Sequence, residues 1–318
     1  MKFSVSLLGC FLIILLNRSE AQVVWVNVDS LFQPLPASVH IYKSTNALDG
    51  KPNTAYYVSV DLKDKKLDLS TAIGNGKRYT PSAYYEQHNQ PLLVMNTTFF
   101  EFVHNSNLNV VINKGKLLAY QQHSIAGRGK DTFTYRHPFG SAIGISKRRK
   151  ADIAWLYTDT ALTSAYASQT PIPFFKDSIV DPASVDMLKK GSFKKWKMQT
   201  AVGGGPVLLQ HGEISITNNQ EIKFAGRAID DKHPRSAMGY TRDGNLIFMA
   251  VEGRFPGKAE GATLTQMAQL LKDIGCIEAL NLDGGGSSCL LINGKETITP
   301  SDKTGQRPVP AVFIVKQQ

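Results

Sequence analysis

Between Leu246 and Gly286 the chain can be laid down in only a few ways. Leu246–Val251 and Ile277–Leu282 are apolar runs of strand length. Between them Leu264, Met267, Ala268, Leu271 and Ile274 fall at i, i+3, i+4, i+7 and i+10, one face of an α-helix. Thr263 and Gln266 have capping-box spacing at its start, and Gly275 suits the position just past its end. Strand, helix, strand with a connection of this length predicts two parallel strands of one sheet, both ending on the same edge. Ligands bind at such edges. The residues standing there are Glu252, Gly253 and Arg254 at one strand end, and Asp283 followed by Gly284, Gly285 and Gly286 at the other. A carboxylate before a glycine run lets a ligand reach the main chain; a tight turn between core strands needs the same glycines.

The rest of the chain reads as hairpins. Strand-like alternation covers Tyr56–Leu62 and Leu67–Ala72, a short helix is expected over Pro81–His88, and a strand over Leu92–Met95. Turn signals at Asn113–Gly115, His211-Gly212, Asp243-Gly244 and Asn293-Gly294 lie between β-forming runs. The expected fold is α+β: a mixed β-sheet rich in hairpins, a few packed helices, and one βαβ crossover near the C-terminus. Hydrophobic content of 42% supports a large core, and 19% charged residues excludes a disordered chain. The net charge of +10 is scattered, and its densest run, Lys147–Lys150, separates two strand-like stretches as a solvated hairpin tip. With no zinc-finger spacing or RNA-binding motif, the charge predicts anionic small ligands and no nucleic-acid partner.

Residues 1–21 carry the marks of a signal peptide: Lys2, the apolar Val5–Leu16, and a small-x-small site at Ser19–Ala21. The apolar run is too short to span a bilayer, so no stable membrane insertion is expected. The mature chain is then a secreted or periplasmic soluble protein, a single domain over 22–318. A lipid anchor at Cys10, in the lipobox-like Leu7–Cys10, is the minor alternative. Cys276 and Cys289 sit in apolar surroundings and are expected as buried free thiols. The proline-bearing stretch 164–182 is expected as a surface excursion or lid.

Further candidates weigh as follows. Asn96, at a strand end before Thr97, Thr98, Phe99 and Phe100, fits a turn, an N-glycan acceptor or a ligand-binding amide. Gly203, Gly204 and Gly205 fit either an anion nest of free N–H groups or a tight bulge. Arg227, Arg235 and Arg254 together suit bidentate binding of a phosphate. No clustered ligands point to a metal and no motif points to a cofactor.

Five blocks carry a resemblance: Asn96–Phe100 (NTTFF), Val202–Pro206 (VGGGP), His233–Gly239 (HPRSAMG), Glu252–Arg254 (EGR) and Asn281–Ser288 (NLDGGGSS). In this order, over about residues 55–316, the chain resembles the phosphodiester glycosidase (NAGPA-domain) family. The last block is highly specific; each of the others alone is weak. The sequence departs from the family pattern in Thr97 and Thr98 after Asn96, in Glu252 where many members have Asp, and in Gln266 where Glu is frequent. The resemblance implies an α+β fold and hydrolysis of a sugar joined through its anomeric carbon to a phosphodiester, with a phosphorylated sugar or glycan as the substrate. For that chemistry Asp283 and Glu252 are the expected catalytic carboxylates, as base or nucleophile and as acceptor of a sugar hydroxyl. Asn96, Arg227, Arg235, Arg254 and Ser287, with the Gly204, Gly205, Gly284 and Gly285 backbone, are implied as substrate contacts. The competing expectations are a non-catalytic exopolysaccharide-binding or envelope-assembly protein, and a phosphodiesterase that breaks the P–O bond.

Overall fold

The computed structural model describes residues 23–177 and 193–318; the expected signal peptide and part of the stretch 164–182, expected as a surface excursion or lid, lie outside the described residues. The turn signals set the architecture. Asn113 pairs with Lys116, Gln210 with Glu213, Tyr240 with Leu246, and Ile292 with Lys295, each across one of the expected turns. Asn293 and Gly294 have φ of 49° and 76°, the left-handed pair that matches the twist of a hairpin. The Lys147–Lys150 run is a hairpin tip as expected, with Ile145 opposite Ala151. Arg149, however, folds back to donate from Nη1 to the Leu67 carbonyl at 3.0 Å, so the tip is not wholly solvated.

An eight-stranded sheet runs in the order Val26–Asn27, Val39–Ser44, Ala55–Asp61, Asn245–Val251, Arg235–Thr241, Cys276–Asn281, Val207–Gln210, Glu213–Ile214. Its inner face meets a five-stranded sheet (Lys295–Glu296, Leu290–Ile292, Leu93–Asn96, Ala311–Gln317, Leu67–Ile73) and a seven-stranded sheet built around Gly140–Ser146 and Met198–Gly203. All three sheets contribute to one core. Ile41, Val58 and Phe248 come from the first, Leu93, Met95 and Phe313 from the second, and Ile143, Trp155 and Val202 from the third. Phe248 and Phe313 meet edge to face at 5.2 Å across the layers.

The helix forms at Leu264–Asp273 with the full capping box: Thr263 Oγ1 accepts from Gln266 N, and Gln266 Oε1 from Thr263 N. Gln266 thus fills the capping role that Glu would fill. Leu264, Met267, Ala268 and Leu271 bury their face on Ala237, Met249, Val251 and Ala279 of the outer sheet surface. The crossover differs from expectation. Asn245–Val251 and Cys276–Asn281 are not neighbours; Arg235–Thr241 lies between them, antiparallel to both. Every strand pair among the described residues is antiparallel, so the sheet is not mixed. The Asp243-Gly244 turn folds Arg235–Thr241 against Asn245–Val251 as a hairpin, and the distant Cys276–Asn281 pairs with the other side of Arg235–Thr241, which separates the two strands. Both cysteines are buried and free, as expected. No helix among the described residues is long and apolar enough to cross a membrane.

Candidate active site

Because the intervening strand is antiparallel to both neighbours, its start lies on the edge where they end. Arg235 is opposite Val251, Ala237 is opposite Asn281, and Leu282 N donates to the Ser236 carbonyl at 2.8 Å. The Glu252, Arg235 and Asp283 positions therefore share one edge, although the route there differs from the crossover that suggested it. Asn96 ties a strand of the second sheet into this edge. Its Nδ2 donates to the Asp283 carbonyl at 2.6 Å, while its Oδ1 accepts from Ser236 Oγ at 2.8 Å and Cys289 N at 3.0 Å. Asp283 N donates to the Thr97 carbonyl at 2.8 Å. Asn96 is 0% exposed, which closes the glycan-acceptor reading in the folded chain and makes the amide a support for Asp283.

Asp283 is partly buried. Burial pushes its carboxyl up to about 6, against the pull of the Ser287 hydroxyl, the Arg307 charge and the Gly284 N–H. Ser287 is buried and also receives Arg307 Nη1 at 3.4 Å, so it supports the carboxylate. Arg307 is itself held by Asp302, whose Oδ2 accepts from Nε at 2.7 Å and pairs with Nη2 at 2.7 Å. The glycines explain themselves here. A Cβ at Gly285, whose φ is +61°, would come within 2.8 Å of the Arg254 guanidinium, and one at Gly286 would collide with that of Arg307. Two arginines thus lie against the turn, Arg254 at Gly285 and Arg307 at Gly286. Arg254 is exposed and sits in the left-handed region at φ 68°. Glu252 is half-buried; its Oε2 accepts from Thr299 N at 2.8 Å, and Oε1 has no protein partner among the described residues.

Arg235 is buried, with Nε on the Ala262 carbonyl at 2.9 Å and Nη2 on the Asp231 carbonyl at 2.8 Å. Burial lowers its pKa to about 10, helped by Arg254 and opposed by Asp231. The same burial, with Arg235 and Arg254 nearby, holds the His233 imidazole below its ordinary range. Arg227 stands apart: its side chain is 92% exposed and only loosely paired with Asp230 at 3.9 Å. The Gly203–Gly205 nest is not formed. Gly203, Gly204 and Gly205 donate to the Val110, Ser141 and Asn281 carbonyls at 2.7, 3.0 and 2.8 Å, so no N–H is left for an anion. Gly204 is glycine because the Asn281 carbonyl packs where a side chain would stand. Nothing in the local sequence marks Arg307 or Asp302, since an arginine in a polar loop before the last strand carries no pattern. Lys223, with Nζ 5.3 Å from the Phe99 ring, likewise stands in a polar stretch with no pattern; burial lowers its pKa while Glu221 opposes. A cavity of about 410 Å³ lined by Tyr42, Tyr57 and Arg242 lies at the opposite end of the central hairpin, remote from these groups.

The edge thus holds a half-buried carboxylate beside a glycine turn against which two guanidinium groups lie, groups whose fork of donors matches carboxylates and phosphates. The chain belongs to the phosphodiester glycosidase family: the family model (NAGPA, phosphodiester glycosidase) matches residues 89–316. Among curated relatives, N-acetylglucosamine-1-phosphodiester alpha-N-acetylglucosaminidase of Mus musculus is 31% identical over 103 residues, 30% of this chain and 20% of that protein. The SPbeta prophage-derived uncharacterized protein YomE of Bacillus subtilis is 44% identical over 83 residues, 26% of this chain and 13% of that protein. The matches thus span a minor part of these relatives. The zebrafish N-acetylglucosamine-1-phosphodiester alpha-N-acetylglucosaminidase catalytic domain, auto-inhibited by its pro-peptide, superposes with a TM-score of 0.59 at 20% identity. That match covers 90% of this chain and 85% of the other. A putative exported protein of Burkholderia pseudomallei gives a TM-score of 0.54 at 15% identity, over 84% of this chain and 74% of the other. These two likenesses establish the fold.

Proposed function

We propose that the chain is an exported hydrolase, a single domain over 22–318, that cleaves the anomeric C–O bond of a sugar-1-phosphodiester. The observation that carries this reading is the turn itself: Asp283 with its carboxyl pushed up to about 6, Arg307 against Gly286 and Arg254 against Gly285. Asp283 serves the anomeric carbon, as base toward water or as nucleophile, and is mostly ionised at neutral pH. The oxygen of water ends bonded to that carbon. The C–O bond breaks with its electron pair on the phosphate oxygen, and the proton of water leaves to solvent or to the released monoester. A phosphate monoester departs readily, so the demand for a general acid is small. The guanidinium groups stabilise the charge gathering on it. Glu252 Oε1 is free to accept a sugar hydroxyl. Arg235, with two of its nitrogens on main-chain carbonyls, supplies positive potential beneath the turn, and Arg227 is peripheral.

Hydrolysis of a sugar-1-phosphodiester in ¹⁸O-water, with products weighed by mass spectrometry, tests the reading. Label on the sugar is expected. Label on the phosphate would identify a phosphodiesterase, and binding without turnover a glycan-binding protein. Export is tested by sequencing the N-terminus of the secreted chain, expected at Gln22.

A further inference from the structure

The loop after Asn96 holds out an aromatic ledge that the chemistry at Asp283 does not use. Phe102 is 58% exposed and Val103 79%, at the tip of a hairpin-like loop. The tip is built rather than frayed: Glu101 N donates to the Ser106 carbonyl at 2.9 Å and Leu108 N to the Phe99 carbonyl at 2.9 Å. The Glu101 carboxylate also accepts from Val103 N at 2.5 Å and His104 N at 2.7 Å. Two arginines lie against the Phe102 ring, Arg78 at 5.1 Å and Arg307 at 5.8 Å from its centroid. Arg307 has Asp302 as its carboxylate partner, whereas Arg78 has only the Phe100 and Phe102 rings and no carboxylate among the described residues. An exposed ring beside an unneutralised cation, at the rim of a charged site, is the chemistry of a ligand surface.

The groups are linked contact by contact, and Phe100 packs against Phe102 with ring centroids 4.6 Å apart. Asp283 touches Ser287, Ser287 receives Arg307, Arg307 lies on Phe102, and Phe102 lies on Arg78. With the anomeric carbon at Asp283 and the phosphate at Arg307, whatever is esterified to the far side of the phosphate reaches Phe102 and then Arg78. We propose that Phe102 and Arg78 form a subsite for this leaving group, and that the group is a ring carrying a second negative charge. This rests on the hydrolase reading above for the placement of the phosphate. The ring stacks on Phe102; the extra charge answers Arg78.

The subsite is tested by calorimetric binding of three phosphate monoesters that need no turnover: methyl, benzyl and 4-carboxybenzyl phosphate. Stacking of this kind is expected to make benzyl phosphate bind roughly tenfold tighter than methyl phosphate, and the carboxylate to add a further severalfold. Phe102→Ala should bring the benzyl-to-methyl ratio close to one. Arg78→Ala should remove only the advantage of the carboxylate, and Arg78→Lys should restore part of it. Equal affinities for the three ligands, absent binding of all three, or ratios unchanged in the variants would overturn the proposal. Turnover of sugar-1-phosphodiesters with the same three leaving groups separates the two readings. Hydrolysis with flat ratios removes the subsite and keeps the hydrolase; no hydrolysis with the ratios intact keeps the subsite and removes the hydrolase.

Discussion

At Asp283 burial raises the carboxyl to about 6, while Ser287, Arg307 and the Gly284 N–H pull it back. A base or nucleophile works ionised, so the acid limb of the kcat/KM profile is expected near pH 6 and not near the ordinary carboxylate value of about 4. Removing either side-chain partner takes away an interaction that favours the charged form. Ser287→Ala and Arg307→Gln are therefore expected to move the limb to higher pH, and an unmoved or lowered limb would separate these residues from Asp283. Asp283→Asn should abolish turnover while the chain still folds; near-normal rates would remove Asp283 from the mechanism. Asn96 makes a different expectation. Its amide joins Asp283, Ser236 and Cys289 with no exposure to water. Asn96→Ala strands three partners, two of them on buried residues and one on partly buried Asp283, at about 1 kcal/mol each, so urea unfolding should show a loss of about 3 kcal/mol. A loss within error would mean that water replaces the amide.

The elements meet at Glu221, a buried carboxylate that the sequence places in a polar stretch with no visible partner. It ends the short helix Asn218–Glu221 and joins two sheets. Oε2 accepts from Ser141 N at 3.1 Å and Ser141 Oγ at 2.7 Å; Oε1 accepts from Trp155 Nε1 at 3.2 Å, Val207 N at 3.0 Å and Thr217 Oγ1 at 2.6 Å. Each oxygen faces one backbone N–H, and a backbone N–H cannot turn into an acceptor. Glu221→Gln therefore sets its NH₂ against a donor in either orientation, and a loss of roughly 2–4 kcal/mol in denaturant unfolding is expected despite the equal size. A variant as stable as the parent would show that the second oxygen is dispensable. The contrast with the helix Leu264–Asp273 shows where sequence reading stops. That helix, its cap and the hairpin turns are local patterns, and each appears where the residues put it. The insertion of Arg235–Thr241 between two strands, the arrival of Arg307 at Asp283 and the role of Glu221 depend on contacts between distant segments, which leave no period in the chain. Gly203–Gly205 and Gly284–Gly286 look alike in sequence. One packs backbone on backbone and the other admits guanidinium groups, a difference set by their neighbours alone.

For the whole molecule, the proposed role of the edge that gathers Asp283, Arg235, Arg254 and Arg307 sets function against stability. A carboxyl held near 6 in the folded chain and near 4 in the unfolded one binds more protons folded than unfolded between those values. Stability contributed by this group is therefore present below about pH 4 and is lost as pH rises through about 6. The full two-unit shift corresponds to about 3 kcal/mol; with Asp283 partly open to water, about 1–2 kcal/mol is the expected size. Asp283→Asn cannot ionise and escapes this loss. Its stability advantage over the parent should be larger at pH 7.5 than at pH 4 by that amount, in paired urea titrations at the two values. The opposite sign, an advantage that shrinks as pH rises, would mean that Arg307 and Ser287 outweigh burial and that the Asp283 carboxylate is stabilised by its surroundings. In that case the acid limb of activity should also lie below pH 4, so the two measurements check one another.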